Sequence, residues 1–386
     1  MDYKKFLKNE ILPVLVDILP DIENGGVFTC FSDRHTPDGD VKSLMGVGRS
    51  LWVFSMSYIH VEQRQEYLDI CRSIFLFLKK CTLRGGKLPF AVSADGSPIR
   101  VTKRTFYAEM YCAMGCAQYY KATRDAEVKE YCELLFGYVY ENYLRQRNTS
   151  QNEEVERNTK CFGVHMTALM MAQSIRAAGI CTQKVNEIAS LAISQMRTSG
   201  FVDDEKQCVY EHVSLTGEKL DGSAGTGSCT GHVYEASWFI MCEGEFRDDD
   251  DLRLFGKKLL DYALPVGFEE VCEFIPTSID TGKSIAENVS SGEFEAFPQQ
   301  EAIIAYRLAY NIFGEEKHLE IADRLEASLN SYYKKFDGIM WCGDISVRGG
   351  EYVLPPSAGR YRSPFHLERY LLVLDMLKKA YKLQYA

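Results

Sequence analysis

Several familiar signatures are missing from this chain. Its 13 cysteines include no C-x-x-C pair, and the nearest approach, Cys112 and Cys116, is one helical turn apart without histidine partners. An odd, irregularly spaced set excludes a disulfide framework and fits reduced thiols in a cytosol. None of the seven histidines opens an H-E-x-x-H or stands at two-cysteine spacing, so a metal site would need ligands far apart in sequence, and no metal is expected. Gly282-Lys283-Ser284 ends like a phosphate loop, but Thr277 stands where the first glycine belongs, which excludes that motif. Positive charge is also short: Lys plus Arg is 44 against 54 for Asp plus Glu, a net charge of −10. A nucleic-acid backbone would be repelled. The longest uncharged apolar-rich run, Cys161 to Ile175, falls short of the roughly 20 residues of a membrane span, and Met1 to Pro20 carries charges throughout rather than a signal-type core. Neither a membrane nor export is expected, and the expected location is the cytoplasm.

What is present is a large globular chain. Hydrophobic residues make up 46%, aromatic residues 12% and charged residues 25% of the 386, enough to bury a sizeable core. Helical periodicity dominates, and breaking the chain at its Gly, Pro and Asp clusters leaves about twelve amphipathic stretches. They run approximately over 2–18, 42–60, 63–82, 104–123, 125–146, 160–178, 182–198, 231–245, 248–263, 297–313, 315–335 and 365–384. No linker interrupts them, so residues 1–386 are expected to form one domain. Gly25-Gly26-Val27-Phe28 leads to Asp38-Gly39, and Gly85 to Phe90 leads to Asp95-Gly96, each a short β-type run closed by a hairpin dipeptide. Phe201 to Glu218 and Phe336 to Tyr352 repeat the pattern more loosely. The unit is two helices and a hairpin, recurring about every 60 residues, which implies a ring or a solenoid.

Where the unusual polar residues fall decides between those two. Arg49 is on the second stretch, Arg104 and Glu109 on the fourth, His165 on the sixth, His232 and Glu235 on the eighth, Gln299 and Glu301 on the tenth, and His366 and Arg369 on the twelfth. The third, fifth and eleventh stretches show a one-sided apolar stripe, as surface helices do, whereas the even ones carry Trp52, Trp238, Met170 and Met171 with few charges. Six inner helices ringed by six outer ones, an all-α (α/α)6 barrel with short β-hairpins between helix pairs, accounts for that alternation.

Three constellations could carry chemistry. Gly231-His232-Val233-Tyr234-Glu235 opens a helix, and i to i+3 spacing lets Glu235 hold or polarise His232. A lone histidine hydrogen-bonded to a nearby turn is the commoner arrangement. Ser363-Pro364-Phe365-His366-Leu367-Glu368-Arg369 opens the last helix with His366 and Arg369 again three apart; standing alone, it reads as a surface Glu368–Arg369 pair. Glu301 sits against Ala302, Ile303 and Ile304, so it needs a partner or a raised pKa, unless it serves only the helix dipole.

Taken together, Gly25-Gly26-Val27-Phe28-Thr29-Cys30, Gly48-Arg49-Ser50-Leu51-Trp52, Arg104-Thr105-Phe106 with Glu109, Gly231-His232 with Glu235 and Trp238, Gln299 with Glu301-Ala302, and Phe365-His366 with Arg369 resemble the N-acylglucosamine 2-epimerase family nearly end to end. That family also includes cellobiose 2-epimerases and aldose–ketose isomerases. The resemblance implies an (α/α)6 barrel and proton transfer at C2 of a ring-opened sugar. His232 and His366 would be the acid/base pair, one on each face of C2, both with pKa near 6.5. Arg49 would stabilise the developing oxyanion. Glu235 and Glu301 would orient the histidines and hydroxyl groups, with Glu109 and Arg369 as further pocket residues.

Gln299 and His165 resemble the disaccharide epimerases, whereas the Phe90 to Gly96 hairpin and Lys103-Arg104-Thr105-Phe106 are closer to the N-acylglucosamine branch. An N-acylated hexosamine therefore ranks first as substrate, and a neutral hexose or β-linked disaccharide second. A glycoside hydrolase using Glu235 and Glu301 across the scissile bond, or a non-catalytic sugar-binding protein, are the rivals. The resemblance implies no required cofactor and a small sugar as partner. Activation by a nucleotide such as ATP, and a homodimer, stay open.

Overall fold

The computed structural model describes residues 1–31, 37, 39–100, 106–144, 159–268, 273–291, 294–335, 344–348, 351–353 and 364–379. Asp38, Lys103, Arg104, Thr105, Phe336 and Ser363 lie outside them. Twelve long helical segments appear among the described residues. The first, α1, is built from Tyr3–Phe6, Leu7–Ile11 and Leu12–Ile18. It departs from the single α-helix expected over 2–18, because Leu7–Ile11 is a π turn. Pro13, at the start of the last piece, has no N–H to donate to the preceding turn, which opens the helix there.

The others are α2 Leu44–His60, α3 Gln65–Cys81, α4 Tyr107–Thr123, α5 Ala126–Leu144, α6 Phe162–Ala177, α7 Thr182–Thr198, α8 Thr230–Arg247, α9 Asp250–Asp261, α10 Ala296–Phe313, α11 Glu316–Lys335 and α12 His366–Lys379. A further short helix, Ile285–Ser291, precedes α10. The even helices pack side by side in the order α2, α4, α6, α8, α10, α12, and α12 returns to α2; the odd ones lie against them outside. Closure is visible in the side chains, where Phe365, just before α12, meets Trp52 of α2 edge-on at 5.2 Å. The alternation expected from the sequence is borne out. In α6 every residue from Phe162 to Arg176 is buried, whereas α3 buries one stripe: Tyr67, Ile70, Cys71, Ile74, Phe75, Phe77, Leu78 and Cys81.

Short strands precede the inner helices. Val41–Ser43, Ala91–Ser93 and Pro98–Arg100 form an antiparallel sheet, turned at Asp95-Gly96, where Gly96 takes φ +91°. Thr159–Cys161 pairs with His212–Ser214, Gly227–Cys229 with Ser278–Asp280, and Phe294–Glu295 with Asp344–Arg348, which in turn pairs with Glu351–Val353. Val41–Ser43, Thr159–Cys161, Gly227–Cys229 and Phe294–Glu295 each deliver the chain directly to the N-terminus of an inner helix, which is why α6 begins at Phe162 rather than at 160.

Glycines set how closely the inner helices approach. A Cβ on Gly48 would lie 2.6 Å from the Cys112 amide nitrogen, and one on Gly115 2.5 Å from the Gly48 carbonyl oxygen. Backbone therefore packs on backbone between α2 and α4, a distance no larger residue tolerates. That contact places Arg49 against Tyr111, with the Arg49 Nη2 donating to the Tyr111 hydroxyl at 2.9 Å. Eleven cysteines are described, most of them buried, and no helix among the described residues is long and apolar enough to cross a membrane.

Candidate active site

The polar residues singled out in the sequence lie in the first two turns of the inner helices, and those turns meet at one end of the ring. Arg369 is the hub. It is fully buried, and its Nη2 donates to Glu235 Oε1 and to Glu301 Oε1, the latter at 2.6 Å. Its guanidinium also lies 4.5 Å from the Phe365 ring. Two buried carboxylates around one buried cation satisfy each other where any one alone would be prohibitive. The Glu368–Arg369 surface pair is thereby overturned: Glu368 is itself fully buried, and Arg369 turns inward.

Glu301 joins this hub to His366. Its Oε1 lies 3.0 Å from His366 Nδ1, and its Oε2 accepts the Trp238 indole N–H at 3.0 Å. Arg369 Nη2 also comes within 3.2 Å of His366 Nδ1, but both of its hydrogens are engaged by Glu235 and Glu301. The Nδ1 of His366 therefore carries the proton donated to Glu301, and Nε2 keeps a free lone pair. Burial, reinforced by the Arg369 and Arg49 cations, holds His366 well below the usual histidine range. That favours the neutral ring. Glu301 itself is raised by burial despite those partners, as its apolar sequence neighbours implied.

His232 is held differently from the expectation. Its Nδ1 lies 3.1 Å from both Glu211 carboxylate oxygens, while Glu235, the partner expected from i to i+3 spacing, faces Arg369. Spacing put Glu235 on the right helix face; the Arg369 guanidinium across the ring, a stronger donor set than an imidazole, decides where the carboxylate bonds. Burial favours a neutral His232, but the adjacent Cys229 sulfur and the Glu211 carboxylate outweigh it and hold the ring well above the usual histidine range. Glu211 is held low in spite of its burial by His232. The two imidazoles thus do not share a pKa near 6.5: His232 is pushed up and His366 down, opposite shifts that favour a protonated ring on one and a neutral ring on the other.

Glu211 escaped the sequence reading because it belongs to the hairpin before α8 rather than to an inner helix. The available signal was a charged pair, Glu211-His212, between the buried Tyr210 and Val213. Gly163 makes room for it: a Cβ there would stand 2.7 Å from His232 Nδ1 and 3.1 Å from Glu211 Oε1. Phe297 spans the two halves, its ring 5.0 Å from His366 and filling the space a Gly231 side chain would need. His232 also acts on His366 through space.

The remaining expected residues divide. Arg49 stays half-buried at the mouth, stacked 4.4 Å from Tyr111 and 5.1 Å from Phe365, with its Nε unbonded. His165 is buried on α6 with Nδ1 2.7 Å from the Tyr143 hydroxyl and Nε2 without a partner; burial lowers its pKa to about 3. Gln299 is engaged by backbone, its Oε1 accepting from the Ile275 amide at 2.8 Å and its Nε2 donating to the Ile275 and Glu295 carbonyls at 2.6 and 3.2 Å. The same loop receives the Thr230 amide on the Thr277 carbonyl, so Gln299 positions the turn that carries His232. Glu109, raised to about 7 by burial, accepts from the Leu88 amide at 2.9 Å and anchors the second hairpin.

Ligand-type atoms of Glu235, Glu301 and His366 lie within 4.8 Å of one another, but the Arg369 guanidinium already supplies the positive charge among them. With this geometry in view, comparison with known proteins is informative. The family model for N-acylglucosamine 2-epimerase (GlcNAc 2-epimerase) matches residues 26–365. Human N-acylglucosamine 2-epimerase is 23% identical over 92% of this chain and 84% of its own length. Cellobiose 2-epimerase of Eubacterium cellulosolvens is 22% identical over 97% of both. Among solved structures, a sugar epimerase from a ruminal bacterium superposes with a TM-score of 0.78 at 19% identity, covering 97% of each chain, which supports the barrel. The chain belongs to the N-acylglucosamine 2-epimerase family.

Proposed function

We propose that this sugar 2-epimerase interconverts an N-acylglucosamine and the corresponding N-acylmannosamine by a two-base proton transfer at C2. The observation that carries the reading is the pair of histidines at one mouth, each fixed through Nδ1 by its own carboxylate, with burial and neighbouring charges pushing their pKa values in opposite directions. On the ring-opened sugar, His366 Nε2 removes the C2 proton and negative charge develops on the C1 oxygen. Arg49 faces that charge, aided by the N-termini of the inner helices. His232 delivers its proton to the opposite face of C2, giving the 2-epimer. The proton count balances: His366 ends protonated and His232 neutral, which is the starting state for the reverse direction. Arg369 and Glu301 fix His366, and Glu211 fixes His232.

The N-acyl substrate is supported by the match to the N-acylglucosamine family model and the relatives of that name. A second reading, a cellobiose-type epimerase, is favoured by one observation: the cellobiose relative aligns over 97% of its length, where the human one aligns over 84%. Incubation in D2O with N-acetylmannosamine, glucose, mannose and cellobiose, followed by NMR, separates them. Deuterium appearing at C2 of N-acetylmannosamine, with N-acetylglucosamine formed, is the expected result. Labelling of cellobiose alone moves the substrate to the second reading, and release of free sugar from a glycoside without C2 labelling contradicts both.

A further inference from the structure

Glu211 stands at the centre of a second set of ligand-type side chains. Atoms of Glu211, Cys229 and His232 lie within 4.8 Å of one another, and Glu211 is similarly placed with Cys161 and His212. The Arg369 cluster has a guanidinium between its carboxylates; here, among the described residues, the ion-pair partner of Glu211 is His232 and no Lys or Arg, its Oε1 also accepting from the Cys161 thiol and the Gly163 amide. One sulfur, one imidazole nitrogen and one carboxylate form a donor set that suits zinc rather than calcium or magnesium, which prefer oxygen throughout. Bonds of about 2.0–2.3 Å at tetrahedral angles put ligand atoms about 3.3–3.7 Å apart. The separation of His232 Nδ1 from each Glu211 oxygen, 3.1 Å, is near that spacing, and the Cys229 sulfur lies within 4.8 Å of both groups. Access is open, since the His232 side chain is 29% exposed and Cys229 is half-buried.

We propose that Glu211, Cys229 and His232 form an inhibitory zinc site. Zn2+ displaces the Cys229 thiol proton and the Nδ1 proton of His232, takes a water at its fourth position, and converts the acid of the reaction into a metal ligand. Binding rests on this geometry alone; inhibition rests in addition on the role given to His232 above.

Co2+ titration of the whole protein tests the site, because a cobalt–thiolate bond gives a charge-transfer absorption that carboxylate or imidazole ligation does not. The expected result is a band saturating at one Co2+ per chain, displaced by Zn2+, absent in Cys229→Ala and retained in Cys161→Ala. Zinc inhibition of turnover, reversed by a chelator, weakens in Cys229→Ala relative to that variant's own zinc-free rate by at least about 100-fold, beyond the ~10–100-fold of losing an outer-shell partner. No band, or a band that persists in Cys229→Ala, overturns the site and leaves the epimerase mechanism standing. A Cys229-dependent band without inhibition keeps the site and overturns the role of His232.

Discussion

Replacing Glu211 by Gln isolates the charge that sets the acid. The amide keeps an acceptor for His232 Nδ1–H and nearly the carboxylate's shape, so the ring stays oriented while its counter-charge goes. At 3.1 Å, a unit charge pair in a medium of effective dielectric 20 interacts by about 5 kcal/mol, several times the thermal energy even after burial of the ring is set against it. The direction follows: Glu211 holds His232 above the usual histidine range, so without it the imidazolium loses its proton at lower pH. The proposed two-base mechanism needs one histidine protonated and the other neutral, so it predicts activity that rises through the low pKa of His366 and falls through the high pKa of His232. Glu211→Gln should move only the alkaline limb, toward lower pH, and kcat/KM should fall by about 100-fold at pH 8, the lower end of the range for general acid catalysis, and much less at pH 6. Rates of C2 deuterium exchange across pH read this directly. An alkaline limb that does not move would refute the assignment of His232 as the acid and Glu211 as its support.

Three other substitutions probe the surroundings. Gly163→Ala puts a methyl group 2.7 Å from His232 Nδ1, so kcat should drop by about 100-fold, as a misplaced catalytic group does, with unfolding little changed; wild-type kcat would contradict the tight fit. Glu368 is buried with neither oxygen hydrogen-bonded and raised to about 7 by burial, so the native state is stabilised relative to the unfolded chain at low pH and loses this as pH rises from about 4.5 through 7. Glu368→Gln should therefore raise Tm at pH 8, by up to about 3 kcal/mol of stability from 1.36 kcal/mol per unit, and do so less at pH 5; equal effects at both would contradict it. Gln299→Ala leaves the Ile275 amide and carbonyl without partners and should cost about 2 kcal/mol in denaturant unfolding, a loss under about 0.5 kcal/mol arguing against its positioning role.

Much of this was legible in the sequence because periodicity reports burial. The twelve helices fall where the apolar pattern put them, and the even ones carry the polar residues inward because a ring encloses its inner helices on both sides. His232, His366, Glu301 and Arg369 stood out as polar groups at the starts of apolar helices. Pairing was less legible. One-dimensional spacing sees neighbours on one helix, so it joined His232 to Glu235 and Arg369 to Glu368, whereas the ring joins Glu235 to Arg369 across 134 residues and His232 to Glu211 from a hairpin. Protonation states were hidden for the same reason: they depend on which charges the closed ring brings to each imidazole. The role of Gln299 followed neither from its helix nor from its chemistry, because its partner is the backbone of a preceding loop.

The most direct test of two bases on opposite faces is C2 deuterium exchange in His232→Asn and His366→Asn, each starting from either epimer. His232→Asn should exchange the C2 proton of only the epimer that His366 deprotonates, and His366→Asn of only the other, with net epimerisation lost in both. A variant that still epimerises, or that exchanges both epimers alike, would contradict the two-base account.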